Sequence, residues 1–197
     1  ADNPHLPQEE IRQLRERWGA DSAYARQELE AEFVTYEGLV YAKFDPALHV
    51  AGKVPDKFRG VWAGLDWGFA PDPAAFVVVA EDHFGVWYIL YELYEHRLTV
   101  PEFARLVEAA VRQYKIQTIY ADPSRPDSIR QMQESGIPVV AARRVKETNV
   151  AIQKVARLLE SDLLMVMYHC KHTIRDFGLY RYPELGKRDN PLGVDDH

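Results

Sequence analysis

The sequence predicts an α/β protein built on a mixed β-sheet: an antiparallel three-strand meander, then parallel strands, with helices on both faces. Three observations carry this expectation. Continuous apolar runs at 62–66 and 76–80, bounded by Gly, Pro and Asp, fit strands covered on both faces. A third run, VWYILYEL at 86–93, follows the turn signal EDHFG and is rich in strand formers. From residue 99 onward helical and strand patterns alternate, the mark of a layered α/β sheet.

Residues 1–57 read as a lead-in. Charged helical patterns at 8–18 and 21–33 precede a short segment at 34–44, punctuated by Pro4, Pro7, Pro46 and Pro55, and GKVPD at 52–56 reads as a linker. The main domain is therefore expected over 58–197, starting near Phe58. Thr99 stands as an N-cap before Val100-Pro101. Phe103, Leu106, Val107, Ala110, Val111 and Tyr114 then recur at helical spacing. A strand at 118–121 ends at Asp122, and a short helix at 127–134 is stopped by Gly136. A strand at 137–142, a helix at 148–159 and a strand at 163–168 follow. The tail holds a helical or irregular piece to about Tyr182, a polar loop at 184–193, and Asp195-Asp196-His197.

With 197 residues, 47% of them hydrophobic, the chain buries one core with appended segments. Its formal net charge of −6 argues against indiscriminate coating of nucleic acid, while leaving room for a nuclease, whose metal-binding groups are acidic. One cysteine, Cys170, permits no internal disulfide, and a reducing, cytosolic setting is expected. No stretch reads as a signal peptide or a membrane-spanning segment.

The chemistry is expected at Asp66 and Asp122, each directly ending an apolar strand run. An acid on a buried strand is costly unless a cation meets it. Should the two strands be neighbours, the carboxylates repel by roughly 4 kcal/mol at 4 Å and an effective dielectric of 20. Either one is protonated or cations bind between them, and oxygen-only ligation favours Mg²⁺ or Mn²⁺. These are the ions of two-metal phosphodiester hydrolysis. A third acid is available in Asp195 or Asp196. Asp72, Asp127 and Asp189 read as turn residues.

These residues resemble the nuclease domain of the large terminase subunit of tailed bacteriophages, which has an RNase H-like fold. The carrying pieces are Gly64-Leu65-Asp66-Trp67-Gly68, Tyr120-Ala121-Asp122-Pro123-Ser124, the basic stretch 142–146, and Asp195-Asp196-His197. Residues 24–44 resemble that family's passage from motor to nuclease. The resemblance implies cutting of concatemeric viral double-stranded DNA during genome packaging, with two Mg²⁺ or Mn²⁺ ions on Asp66, Asp122 and Asp196, or Asp195 as alternative or second contributor. It also implies a motor domain in the full-length chain, a portal and a small terminase subunit as partners, no membrane, and the cytoplasm of an infected bacterial host. The chain stops at His197 where the family pattern continues in a helix, and no G-x-x-x-x-G-K-[ST] run occurs. A fragment without ATPase activity is expected.

Arg143, Arg144 and Lys146 are expected to hold DNA phosphates, with Lys146 favoured; their plain alternative is a solvated rim. Arg125 and Arg130 are weaker candidates. His169-Cys170-Lys171-His172 offers too few ligands for structural zinc, and Cys170 reads as a small buried hydrophobe. Trp62, Trp87, Tyr88, Tyr91 and Tyr94 read as core, with Trp67 beside the acid left open as a base-stacking group. Two other readings stand: an RNase H-like resolvase or ribonuclease, and a non-catalytic domain docking DNA or the portal.

Overall fold

A computed structural model describes residues 38–68, 73–96, 98–143 and 148–182. Seven strands form one sheet: β1 (Val50–Ala51), β2 (Gly60–Asp66), β3 (Ala74–Glu81), β4 (Trp87–Glu95), β5 (Thr118–Ala121), β6 (Val139–Ala141) and β7 (Leu164–Met167). Their order is β1-β7-β4-β3-β2-β5-β6. Pairings of β3 with β2 and β4 are antiparallel and the other four are parallel. The expected meander and parallel extension are present. The helices are α1 (Pro46–His49), α2 (Val100–Tyr114), α3 (Pro126–Glu134), α4 (Thr148–Glu160) and α5 (Lys171–Leu179).

Register fixes which side chains share a face, because directly paired residues point the same way. Val78, Ala63, Ile119 and Val139 form one row across β3, β2, β5 and β6, and all are buried. Tyr91 begins that row on β4, and its ring lies 5.4 Å from that of Tyr114. Helix α2 therefore covers this face, burying Phe103, Val107 and Ala110. Its start is fixed as expected at Thr99, whose N–H and hydroxyl both donate to Glu102. Fully buried Phe76, Ile119 and Met132 anchor the core; each such side chain contributes about 2 kcal/mol or more by burial.

Among the described residues the opposite face is covered only in part. The next row, Glu92, Val77, Gly64, Tyr120 and Val140, is exposed from Gly64 onward. A hollow of about 510 Å³ lies here, lined by Trp62, Val77, Val79, Trp87 and Tyr120. The expectation that β2 and β3 are covered on both faces is thus corrected for β2, whose side chains alternate between buried and open. Trp62 and Trp87 meet beside this hollow with tilted rings 5.6 Å apart; Trp87 packs against the core from there, whereas Trp62, read as core, lines the hollow instead.

Residues read as lead-in also join the sheet: β1 pairs with β7, and α1 precedes it with Asp45 capping its first turn. Glycine freedom is needed at Gly68, with φ +57, where a Cβ would stand 2.2 Å from the carbonyl oxygen of Pro73. Among the described residues no helix is long and apolar enough to cross a membrane.

Candidate functional site

Strands β2 and β5 are parallel neighbours, with Leu65 opposite Ala121. Each chain continues one residue further into an acid, Asp66 and Asp122. The ladder extends to this level, because Asp122 N–H donates to the Leu65 carbonyl at 2.9 Å. The two acids thus stand at adjacent strand ends about 5 Å apart along the sheet, at the carboxyl edge where α/β sheets collect reactive groups. Both share the alternation of Gly64 and Tyr120, so both belong to the open face.

The expected burial cost at Asp66 is not there. Asp66 is exposed, since it is the last residue of β2 on the uncovered side. What remains is the electrostatic argument, two carboxylates held side by side. Asp122 is half-buried. One of its oxygens accepts from Ser124 N–H at 2.8 Å, an Asx turn that leads into α3. Its backbone carbonyl accepts from the indole N–H of Trp67 at 2.8 Å. Trp67 is buried, so its assignment as a candidate stacking group is corrected: it braces the second acid from within. The signal in the sequence was its adjacency to Asp66, but its partner is visible only in space.

Arg143 is exposed two residues beyond β6, on the same edge. The β5–β6 ladder runs on through Ala142 N–H, which donates to the Ala121 carbonyl at 2.8 Å. Arg125 precedes α3 as its N-cap, and Asp127 lies in the first turn of that helix, exposed. Arg144, Lys146, Asp195, Asp196 and His197 lie outside the described residues. Among the described residues no group of three acidic, His or Cys side chains is poised on one ion.

The histidine-cysteine cluster is dispersed. Cys170 is fully buried against the Ile89 carbonyl, and burial, with the Glu92 charge second, pushes its thiol up to about 12. His169 bonds the Leu90 carbonyl at 2.8 Å, and His172 stacks on Tyr94. One further group went unread: Glu92 accepts from the N–H groups of His172 and Thr173 and from the Thr173 hydroxyl. Tyr94, read as core, is only half-buried and receives the His172 ring.

Comparison with known proteins agrees with this fold. The large terminase subunit of Escherichia phage T5 is 24% identical over 191 residues, covering 92% of this chain and 42% of that protein. The large terminase of a thermophilic bacteriophage, solved in complex with ADP, superposes with a TM-score of 0.70 at 22% identity, over 97% of this chain and 49% of that one. The nuclease domain of the bacteriophage SPP1 large terminase, solved with bound Mn, gives 0.54 at 26% identity, over 68% of this chain and 79% of that one. The chain spans less than half the length of the first two of these proteins. A family model described as the terminase RNaseH-like domain matches residues 63–196, from the middle of β2 to Asp196, and the chain belongs to that family.

Proposed function

We propose that this chain is the metal-dependent DNA endonuclease domain of a viral genome-packaging terminase large subunit. The observation that carries the reading is the pair of carboxylates, Asp66 and Asp122, at the ends of adjacent parallel strands. The donor set suits hard divalent ions: Asp66 is exposed, and Asp122 is oriented by the bond that one of its oxygens accepts from Ser124. When bound there, Mg²⁺ or Mn²⁺, two ions in this reading, would supply Lewis-acid activation of water and of the phosphoryl group. The SPP1 nuclease domain with bound Mn supports divalent-ion use.

In this reading Asp66 and Asp122 hold the ions, joined by Asp196 or Asp195. Trp67 holds the Asp122 backbone against β2. Arg143, Arg144 and Lys146 bind phosphates of double-stranded DNA. Contacts to backbone rather than base edges suit cutting of concatemers with little sequence preference. ATP hydrolysis belongs to a motor in the full-length protein, since this stretch has no G-x-x-x-x-G-K-[ST] run. The nuclease domain takes in residues from 58 onward together with α1 and β1, which join its sheet, and the portal, the small terminase subunit and the cytoplasm of the infected host complete its setting.

The test is plasmid cleavage by the chain with Mn²⁺ or Mg²⁺, alongside Asp66→Asn and Asp122→Asn. Cutting by the wild type, abolished by either substitution and by EDTA, is expected. Variants that cut as well as the wild type would sink the assignment.

A further inference from the structure

A second group of polar side chains lies level with the acids. Register aligns Tyr94 of β4 with Ala75 of β3, and Ala75 with Asp66 of β2. The three point to the same face, and Asp122 continues the row on β5. Tyr94 is two strands from Asp66, about 10 Å across the sheet. On Tyr94 lies the His172 ring, nearly parallel, with centroids 4.3 Å apart and planes at 17°. His96 meets the same tyrosine edge-on at 5.8 Å.

The start of α5 is held in place from the sheet. Glu92, two residues before Tyr94 and on the same face, accepts from His172 N–H and Thr173 N–H at 2.8 Å and from the Thr173 hydroxyl at 2.7 Å. These bonds offset its charge against the helix N-terminus, so it opposes an incoming anion less than a bare carboxylate would. They also fix the backbone from which Lys171 and His172 project. Both side chains are exposed, and stacking limits the conformations open to the imidazole. Polar donors are thus displayed on one flank of the acid pair, while Arg143 stands on the other, beyond β6.

We propose that His172, seated on Tyr94, and Lys171 bind a phosphate of duplex DNA on the β4 side of the acid pair. The inference rests on the nuclease reading above. Each strand of a duplex carries one backbone charge per about 3.4 Å of helix axis, so a site about 10 Å from the acids lies within reach of a phosphate near the one being cut. Held there as well as at Arg143, the duplex would lie across the strand ends with the scissile bond over Asp66 and Asp122. His172 and Lys171 are positioning residues in this scheme, acting on the DNA and not on the reacting atoms.

The experiment is anisotropy of a short labelled duplex with the chain in EDTA, over a salt series, together with plasmid cutting and melting in Mn²⁺. Lys171→Ala should make the log–log salt slope shallower by about 0.9, the release of one counterion. His172→Ala should weaken binding about five-fold, while His172→Arg, whose planar group stacks on a ring and reaches phosphate, should restore it. The Mn²⁺-induced rise in melting temperature should be unchanged in all three. Wild-type binding that neither alanine variant alters, or binding that His172→Arg worsens as much as His172→Ala, overturns the inference and leaves the nuclease reading intact. Loss of the Mn²⁺ effect in His172→Ala also overturns it, since the residue would then act through the acids. A wild-type chain that neither binds nor cuts duplex overturns the nuclease reading itself, and this inference with it.

Discussion

The indole N–H of Trp67 donates to the backbone carbonyl of Asp122 at 2.8 Å, while Asp122 N–H donates to the Leu65 carbonyl at 2.9 Å. The residues on either side of Asp66 thus grip both backbone polar groups of Asp122, and the separation of the two acids follows from that grip. Trp67→Phe keeps an aromatic ring in a buried site but removes the N–H. It should cost about 1–2 kcal/mol in urea unfolding, for one lost bond and one carbonyl left short of a partner. Mn²⁺ affinity by calorimetry should fall by more than that of a surface control such as Lys154→Ala. Equal affinities would show that the bond serves stability alone.

Gly68 follows the brace with φ +57, and a Cβ there would lie 2.2 Å from the Pro73 oxygen and 2.6 Å from the Ala74 nitrogen. Backbone atoms cannot swing aside as a flexible side chain does. Gly68→Ala combines a left-handed alanine with this clash, so a loss of about 2 kcal/mol or more is expected. By contrast, Gly64 has open space where its Cβ would be, and Gly64→Ala should fall within about 1 kcal/mol of the wild type. Paired urea titrations check the ranking, and equal losses would refute it.

The acid pair was legible because each aspartate ends an apolar run, and such runs mark strands before anything is known of their neighbours. Helix α2 was legible from Thr99 and its apolar spacing for a similar reason: the signal is local. Helix α1 and strand β1 were missed because four and two residues are too short to show a period, and the prolines around them read as a linker. The open half of the sheet was misread because Trp62, Val77 and Val79 look the same in sequence whether a helix or solvent faces them. The brace from Trp67 is a contact between residues far apart in the chain, and only the fold brings them together.

Burial makes two acidic protons unusually hard to remove. The Cys170 thiol is pushed up to about 12 by burial first and the Glu92 charge second, and the Tyr41 phenol to about 12 by burial first and then Tyr180 and Tyr182. Unfolded, these groups titrate near 8.5 and 10. Below about pH 8 both states keep the protons and this stabilisation is complete. As pH rises further the unfolded chain releases them first, so stability falls with increasing pH toward about 12. The urea midpoint should therefore drop between about pH 8 and about pH 10.5, less steeply in Cys170→Ala. Native Cys170 should also react slowly with a disulfide reagent at about pH 8 and quickly once unfolded. A midpoint independent of pH would contradict this account.

His49 is buried and ties α1 to the last turn of α4. Nδ1 stands 2.9 Å from both the N–H and the carbonyl of Asp45, and Nε2 3.1 Å from the Leu159 carbonyl; with the hydrogen assigned to Nε2, the ring accepts from Asp45 N–H and donates to Leu159. Its ring also stacks on Phe44 at 5.8 Å. His49→Leu retains volume but strands the Asp45 N–H, an expected cost of about 2 kcal/mol. That cost should be local, because β1 has two residues and, among the described residues, pairs with β7 alone. Hydrogen exchange separates local from global loss: the Tyr168 amide, protected by the Ala51 carbonyl at 3.1 Å, should exchange much faster in the variant. The Asp122 amide, held by the Leu65 carbonyl between β5 and β2 at the other end of the strand order from β1, should slow or speed only with global stability. If both amides lose protection equally, His49 supports the whole domain, and the edge strand is not a separate unit.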